Sequence, residues 1–171
     1  DAAGNTSIAS AVYAFTVDTM APTAPTVATF TSGSIKGITV NAQSGSDIEL
    51  LNPSNTNITA RFELLTTVVN GDGSSTYTYK ALHSGVVDIR AIASDAAGND
   101  SVASSSVTLS VPLTGLLVDG YIGGATIYQD ANNNSQFDAG EIHTITAATG
   151  EFSLEIIDAS AGQIRAEGGL D

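Results

Sequence analysis

The sequence predicts an all-β chain organised as successive small units, and three observations carry that prediction. Thr, Val and Ile alternate with small polar residues between clusters of Gly, Asn and Asp, the pattern of short half-buried strands joined by tight turns. Long stretches of Leu, Glu and Lys, the usual material of helices, are missing. The chain also repeats itself: Asp1-Ala-Ala-Gly-Asn5 returns as Asp95-Ala-Ala-Gly-Asn99. The match continues past the motif, with Ser7 aligned to Ser101, Ile8 to Val102, Ala9 to Ala103, Ser10 to Ser104, Phe15 to Leu109 and Val17 to Val111. A composition rich in Ala and Gly explains a short coincidence but not one sustained this far. One unit is therefore expected to end near Val17, and a second of the same kind near Val111.

Between them lies Asp18-Thr-Met-Ala-Pro-Thr-Ala-Pro25, read as a linker because Pro22 and Pro25 lack the N–H that a central strand must donate. The unit that follows, 22–112, has the length of one β-sandwich. Its first strand is read at Thr26–Phe30. The second runs over Ser34–Ala42, with Ile38 and Val40 in period 2. A short third, Ser46–Leu51, stops before Pro53. The fourth is read over Ile58–Val69, with Ile58, Ala60, Phe62 and Leu64 on one face. Asn70-Gly-Asp-Gly73 is a hairpin signal leading into the fifth, Thr76–Leu82, where Tyr77, Tyr79 and Ala81 alternate with Thr and Lys. The sixth places Val87, Ile89, Ala91 and Ala93 on one face, and the last carries Val107, Leu109 and Val111.

At Leu113 the pattern changes. Residues 113–171 are strongly acidic, and Arg165 is their one basic residue. Val118–Gln129 and Phe152–Ile157 read as strands, with Gln163–Ala166 as a third. The stretch is short for an independent β-domain, and no turn is read that closes it after Gly168-Gly169, so it is expected to belong to a longer unit. The predicted division is 1–21, the terminal strand of a preceding unit and its linker; 22–112, a sandwich; and 113–171, a second small β-domain.

Charge narrows the function. With 5 Lys+Arg against 18 Asp+Glu, the formal net charge is -13. Nothing is present to neutralise phosphates, so nucleic acid and anionic membrane surfaces are excluded as expected partners. No apolar run approaches the roughly 20 residues of a membrane helix, so no membrane insertion is expected. Residues 1–21 carry no charged n-region and no cleavage site, so no signal peptide is read there. Cys is absent, which removes disulfides, thiolate metal sites and Cys nucleophiles together. In a secreted chain, rigidity would then have to come from elsewhere, and bound Ca²⁺ is a common source.

The sharpest motif is Asp130-Ala-Asn-Asn-Asn-Ser-Gln-Phe-Asp-Ala-Gly-Glu141. A Ca²⁺ loop of the EF-hand kind takes oxygen donors from positions 1, 3, 5, 7, 9 and 12. Here those positions hold Asp130, Asn132, Asn134, the Gln136 carbonyl, Asp138 and Glu141. Ser135 stands where Gly is usual, so the sharp turn must be strained or made differently. The flanks Thr126–Gln129 and Thr144–Thr146 read as strands rather than helices. An ordinary acidic, Asn-rich turn is the plainer alternative. With carboxylates at only three positions, affinity is expected in the weak range, on the order of 10⁻⁴ M.

Other features carry less. Asp95–Asn99 reads as a turn before the last strand, with a second cation site as the rarer alternative. Asp18 is either a solvated linker charge or one ligand of a cation held between units. His83 and His143 have no His or Cys at ligand spacing. Gly-x-Ser-x-Gly, a P-loop and His-Glu-x-x-His are all absent. Tyr77, Tyr79, Tyr121 and Tyr128 can stack on sugars, but core or cross-strand packing is the commoner use. Residues 113–171 contain no Lys, so no Lys–Asn crosslink forms there, while Lys36 and Lys80 leave one formally open in the preceding unit.

Ser94-Asp-Ala-Ala-Gly-Asn99 before a final strand, and Val17-Asp-Thr-x-Ala-Pro22 after one, resemble the bacterial Ig-like repeats of giant surface adhesins, often exported by type I secretion with RTX repeats. Asp119-Gly-Tyr-Ile-x-Gly-Ala125, Asp130-x-Asn-x-Asn134, Asp138-x-Gly-Glu141 and Thr149-Gly-x-Phe152 are similar to the calcium-binding B-type repeats of cell-surface adhesins. The second set is the more specific. The resemblance implies an Ig-like β-sandwich plus a small Ca²⁺-binding β-sandwich, extracellular, non-enzymatic and stiffened by Ca²⁺. Its expected partners are neighbouring repeats of the same chain, or another copy reached through residues 1–17 by donor-strand pairing. The alternatives are a carbohydrate-binding or accessory module of a secreted polysaccharide-active enzyme, and a polymerising surface-filament or S-layer subunit.

Overall fold

A computed structural model describes residues 2–119, 122–157 and 161–170. Among them there is no α-helix, and every sheet pairing is antiparallel. The strands are β1 (Thr26–Ser32), β2 (Ile35–Gln43), β3 (Asp47–Leu51), β4 (Phe62–Val69), β5 (Ser74–Ala81), β6 (Gly85–Ser94), β7 (Val107–Val111), β8 (Leu113–Leu116), β9 (Gly123–Asp130), β10 (His143–Ile145), β11 (Glu151–Leu154) and β12 (Gln163–Leu170).

Strands β1 to β7 form two sheets, ordered β1-β2-β5-β4 and β3-β6-β7. Alternation sets the core between them. Ile38, Val40 and Ala42 of β2 and Tyr77 and Tyr79 of β5 face Leu50 of β3, Ile89, Ala91 and Ala93 of β6, and Leu109 of β7. Burying these apolar faces against one another is what makes each one-sided strand stable. The Tyr77 hydroxyl, carried into that core, donates to the Ser46 carbonyl at 2.7 Å. Burial, reinforced by the nearby Asp47 charge, raises the phenol pKa above its ordinary value.

The expected fourth strand needs correction. Ile58–Arg61 is not strand: Thr59–Arg61 is a 3₁₀ turn, and β4 begins at Phe62. Local hydrogen bonds hold this segment against β3. The Ile58 N–H donates to the Leu50 carbonyl at 2.8 Å, and the Leu50 N–H donates to the Thr59 hydroxyl at 2.9 Å. The chain thus crosses from one sheet to the other here, so period 2 fails: Ile58 and Phe62 are buried while Ala60 and Leu64 are exposed. A bulge between Leu64 and Thr66 bends the same edge strand. The hairpin at Asn70–Gly73 is present, with Gly73 at φ 84° and the Asp72 carboxylate accepting the Ser74 N–H at 3.0 Å.

The segment between β6 and β7 runs beside β6 without forming a regular ladder. Ser101 and Ser104 each make a two-point clamp on one residue of β6. The Ser101 N–H donates to the Ala93 carbonyl while the Ala93 N–H donates to the Ser101 hydroxyl, both at 2.9 Å. Ser104 does the same with Ala91, again at 2.9 Å both ways. Two buried backbone N–H groups are thereby satisfied by side chains.

The glycine of the repeated pentapeptide has the same left-handed φ in both copies, 84° at Gly4 and 85° at Gly98. Beyond it the copies differ. Residues 5–25 form no strand, and Ile8 and Phe15 are 94% and 85% exposed, whereas Leu109 is buried. The linker is not free: Pro22 and Pro25 are buried, and the Asn99 side-chain amide donates to the Asp18 carbonyl at 3.2 Å.

After Pro112 the chain builds separate sheets, ordered β10-β9-β12 and β11-β8. They enclose a second, smaller core of Ile127, Leu154 and Ile156, with Leu113, Leu117, Ile142 and Phe152 against it. Of the expected strand at 118–129, Val118 and Asp119 form a turn, residues 120 and 121 lie outside the described residues, and β9 begins at Gly123. β8 is a strand the sequence did not reveal, and β12 extends to Leu170. A hydrogen bond of 2.6 Å from the Ser110 hydroxyl to Glu155 joins β7 to the segment after β11.

Candidate metal centre

The loop that joins β9 to β10 is the acidic motif. β9 is the central strand of its sheet, pairing β10 through Tyr128 and His143 and β12 through Asp130 and Gln163. The Gln129 N–H donates to the Ile142 carbonyl at 2.9 Å and closes the hairpin base. Inside the loop Phe137 packs between Tyr128 and His143, with ring centroids 5.5 and 4.6 Å away. Those ring contacts anchor the loop on its two strands.

Asp130 is fully buried at the end of β9. Its Oδ1 accepts the Asn134 N–H at 3.0 Å, and its Oδ2 accepts the Ser135 N–H at 2.9 Å and Arg165 Nε at 2.6 Å. Burial alone would raise its pKa; the Ser135 N–H, Arg165 and the Asn134 N–H outweigh it and hold the carboxyl below its ordinary value. Asn132 and Asn134 both turn their amide groups to Asp138 Oδ2, at 2.8 and 2.6 Å. Glu141 reaches back across the loop, its two carboxylate oxygens accepting the Ala131 and Asp138 N–H groups at 2.9 and 3.1 Å. Gln136 donates its N–H to Asn134 Oδ1 at 2.8 Å.

Five of the expected ligands are thus tied to one another, and Gln136 lies in the same turn. The donor set fits a hard divalent cation, being oxygen throughout. Asn132 and Asn134 meet at a common carboxylate, and turning either carboxamide over would present oxygen there in place of nitrogen. Among the described residues no three His, Cys, Asp or Glu side chains gather as a metal-ligand group. Half of the donors expected in this loop are amide or carbonyl oxygens. Ser135 sits at φ 68° and Asn133 at φ 59°. The turn expected of Gly is therefore made by Ser in a left-handed conformation, at a cost of roughly 1–2 kcal/mol.

The residue that sequence reasoning did not place is Arg165, which reaches the loop from β12. Its signal was present, since it is the one basic residue in an acidic stretch, but the partner depends on β12 pairing with β9. The other features resolve more simply. The Asp95 carboxylate accepts the Ala97 and Asn99 N–H groups at 2.8 and 2.9 Å and the Asn99 side-chain amide at 2.9 Å. Those bonds, the Asn99 side chain first, lower its pKa and account for the loop as a turn. Asp18 turns its carboxylate to the Met20 N–H at 3.0 Å. Tyr77, Tyr79 and Tyr128 are buried, and Tyr121 lies outside the described residues.

No family model matches the chain, and no curated protein or solved structure matches it either.

Proposed function

We propose that the chain is a structural, non-enzymatic module of an extracellular bacterial surface protein, stiffened by Ca²⁺ in the 130–141 loop. The observation that carries this reading is the loop itself: a buried Asp130, with Asn132, Asn134, Asp138 and Glu141 drawn together on a hairpin. The strand orders β1-β2-β5-β4 and β3-β6-β7 support the Ig-like part of the reading. They correspond strand for strand to the two sheets of a constant-type immunoglobulin domain. The repeated pentapeptide with matching glycine geometry supports an array of such units, divided near residues 21 and 112.

Calorimetric titration with CaCl₂ tests this. Binding with a dissociation constant on the order of 10⁻⁴ M is expected, and much weaker binding of Mg²⁺, which tolerates a wide, many-ligand loop poorly. No heat at millimolar Ca²⁺ would sink the calcium reading. A glycan array separates the module from a carbohydrate-binding one. No retained sugar is expected, because Tyr77, Tyr79 and Tyr128 are buried and the exposed rings of Tyr13 and Phe15 lie on a segment that forms no strand to hold them as a platform.

A second reading, self-association, is favoured by residues 7–17, whose sequence counterparts are seated beside β6 while their own apolar side chains stand exposed. Such a segment is suited to completing a sheet on another copy or another repeat. Sedimentation of the chain with and without residues 1–21 is the measurement. Association that is lost with the segment is the expected result; monomers in both cases, with freely exchanging amides in 5–17, would reject it.

A further inference from the structure

The loop already holds a cation of its own. Arg165 stands opposite Tyr128 in the β9–β12 ladder, and its Nε meets Asp130 Oδ2 at 2.6 Å. The approach is built into the backbone. Gly162, at φ 118°, lies so close to Asp130 that an added Cβ would fall 1.9 Å from its carbonyl oxygen. Only Gly lets β12 begin there, and three residues later that strand delivers the guanidinium.

A buried carboxylate without a counter-charge is strongly unfavourable, so whatever pairs with Asp130 supports the fold. Arg165 does so in the absence of metal, while Asp138 and Glu141 stand near solvent. A divalent cation on Asp130 Oδ1 would share that carboxylate with the guanidinium on Oδ2. Two cations on one carboxylate repel, and the more so because Asp130 itself is buried.

We propose that Arg165 is the resident counter-ion of Asp130, opposing Ca²⁺ at the loop: it keeps the metal-free domain folded and weakens metal binding. This rests on the calcium reading given above. Because coupling is reciprocal, whatever Arg165 contributes preferentially to the metal-free state it subtracts from Ca²⁺ affinity. Arg165 is a positioning residue here and is not itself a ligand.

The test uses the whole chain as wild type, Arg165→Gln and Arg165→Lys, melted in chelator and in CaCl₂ and titrated calorimetrically with CaCl₂. Arg165→Gln should melt lower in chelator, gain more from Ca²⁺, and bind it about fivefold or more tightly, the lower end of ordinary site–site coupling. Arg165→Lys, which keeps the charge, should bind close to wild type. If the glutamine variant is unfolded without metal, Ca²⁺ should restore its circular dichroism. Wild type that binds Ca²⁺ while Arg165→Gln binds equally or more weakly, or stays unfolded at 10 mM, overturns the inference alone. Absence of binding in every variant overturns the calcium reading and this inference with it. Binding by Arg165→Gln but not by wild type overturns the calcium reading of the native chain and leaves Arg165 as the group that excludes the metal.

Discussion

Replacing Ser101 and Ser104 together by alanine should destabilise the seven-stranded sandwich by roughly 2–6 kcal/mol, since each leaves a buried donor unpaired at about 1–3 kcal/mol. The donors are the N–H groups of Ala93 and Ala91, both in residues with no exposure. No water reaches them, and no neighbouring strand supplies a carbonyl, because residues 101–106 do not form a ladder. Set against an ordinary domain stability of about 5–15 kcal/mol, this is a large fraction. Ser106→Ala, on an exposed residue of the same segment, should stay within about 0.5 kcal/mol of wild type. The repeat sharpens the comparison. Ser7 and Ser10 occupy the same places in the first copy but lie exposed, so Ser7→Ala with Ser10→Ala should leave the urea midpoint unchanged. Equal midpoints for wild type and the Ser101/Ser104 double variant would show that the clamps do not contribute.

Calcium should raise the melting temperature of the domain built from β8 to β12. With a dissociation constant on the order of 10⁻⁴ M, 10 mM Ca²⁺ stabilises by about 2.7 kcal/mol, provided it binds only the folded state. For a unit of 60–100 residues that is on the order of 10–20 °C. Glu141→Gln should remove most of the shift. Glu141 supplies both oxygens of the closing carboxylate, and in the structure those oxygens tie Ala131 to Asp138 across the loop. An amide keeps the shape and one acceptor but loses the charge that a divalent ion requires. Scanning calorimetry in chelator and in CaCl₂ is the measurement. A melt that is indifferent to both, in wild type and variant alike, would leave the loop as an acidic turn.

Period-2 alternation was sufficient to place β2, β5, β6 and β7, because a half-buried strand must present every second residue to the core. Where the chain left that regime the pattern misled. Ile58–Val69 reads as one strand, but the Ile58 N–H and the Thr59 hydroxyl are bound to the backbone of Leu50 and the chain is changing sheets. β8 was hidden because three of its four residues are exposed and it is defined by backbone pairing with β11, far along the chain, rather than by its own alternation. The oxygen-bearing side chains of the 130–141 loop were legible as a group because they are local: they lie within one turn, so spacing alone brings them together.

Composition and local pattern by themselves determined the all-β class, the hairpins, the repeat and the oxygen-rich loop, all of which depend on residues near one another in sequence. Only the tertiary structure decided what lies opposite what. It set Ser101 and Ser104 against β6, left their counterparts Ser7 and Ser10 exposed, and brought Arg165 to Asp130. In the first two cases identical residues differ in burial, and in the third an ion pair spans two strands. Burial and long-range pairing are properties of the packed chain, set by how its sheets close on one another, and no window of sequence contains them.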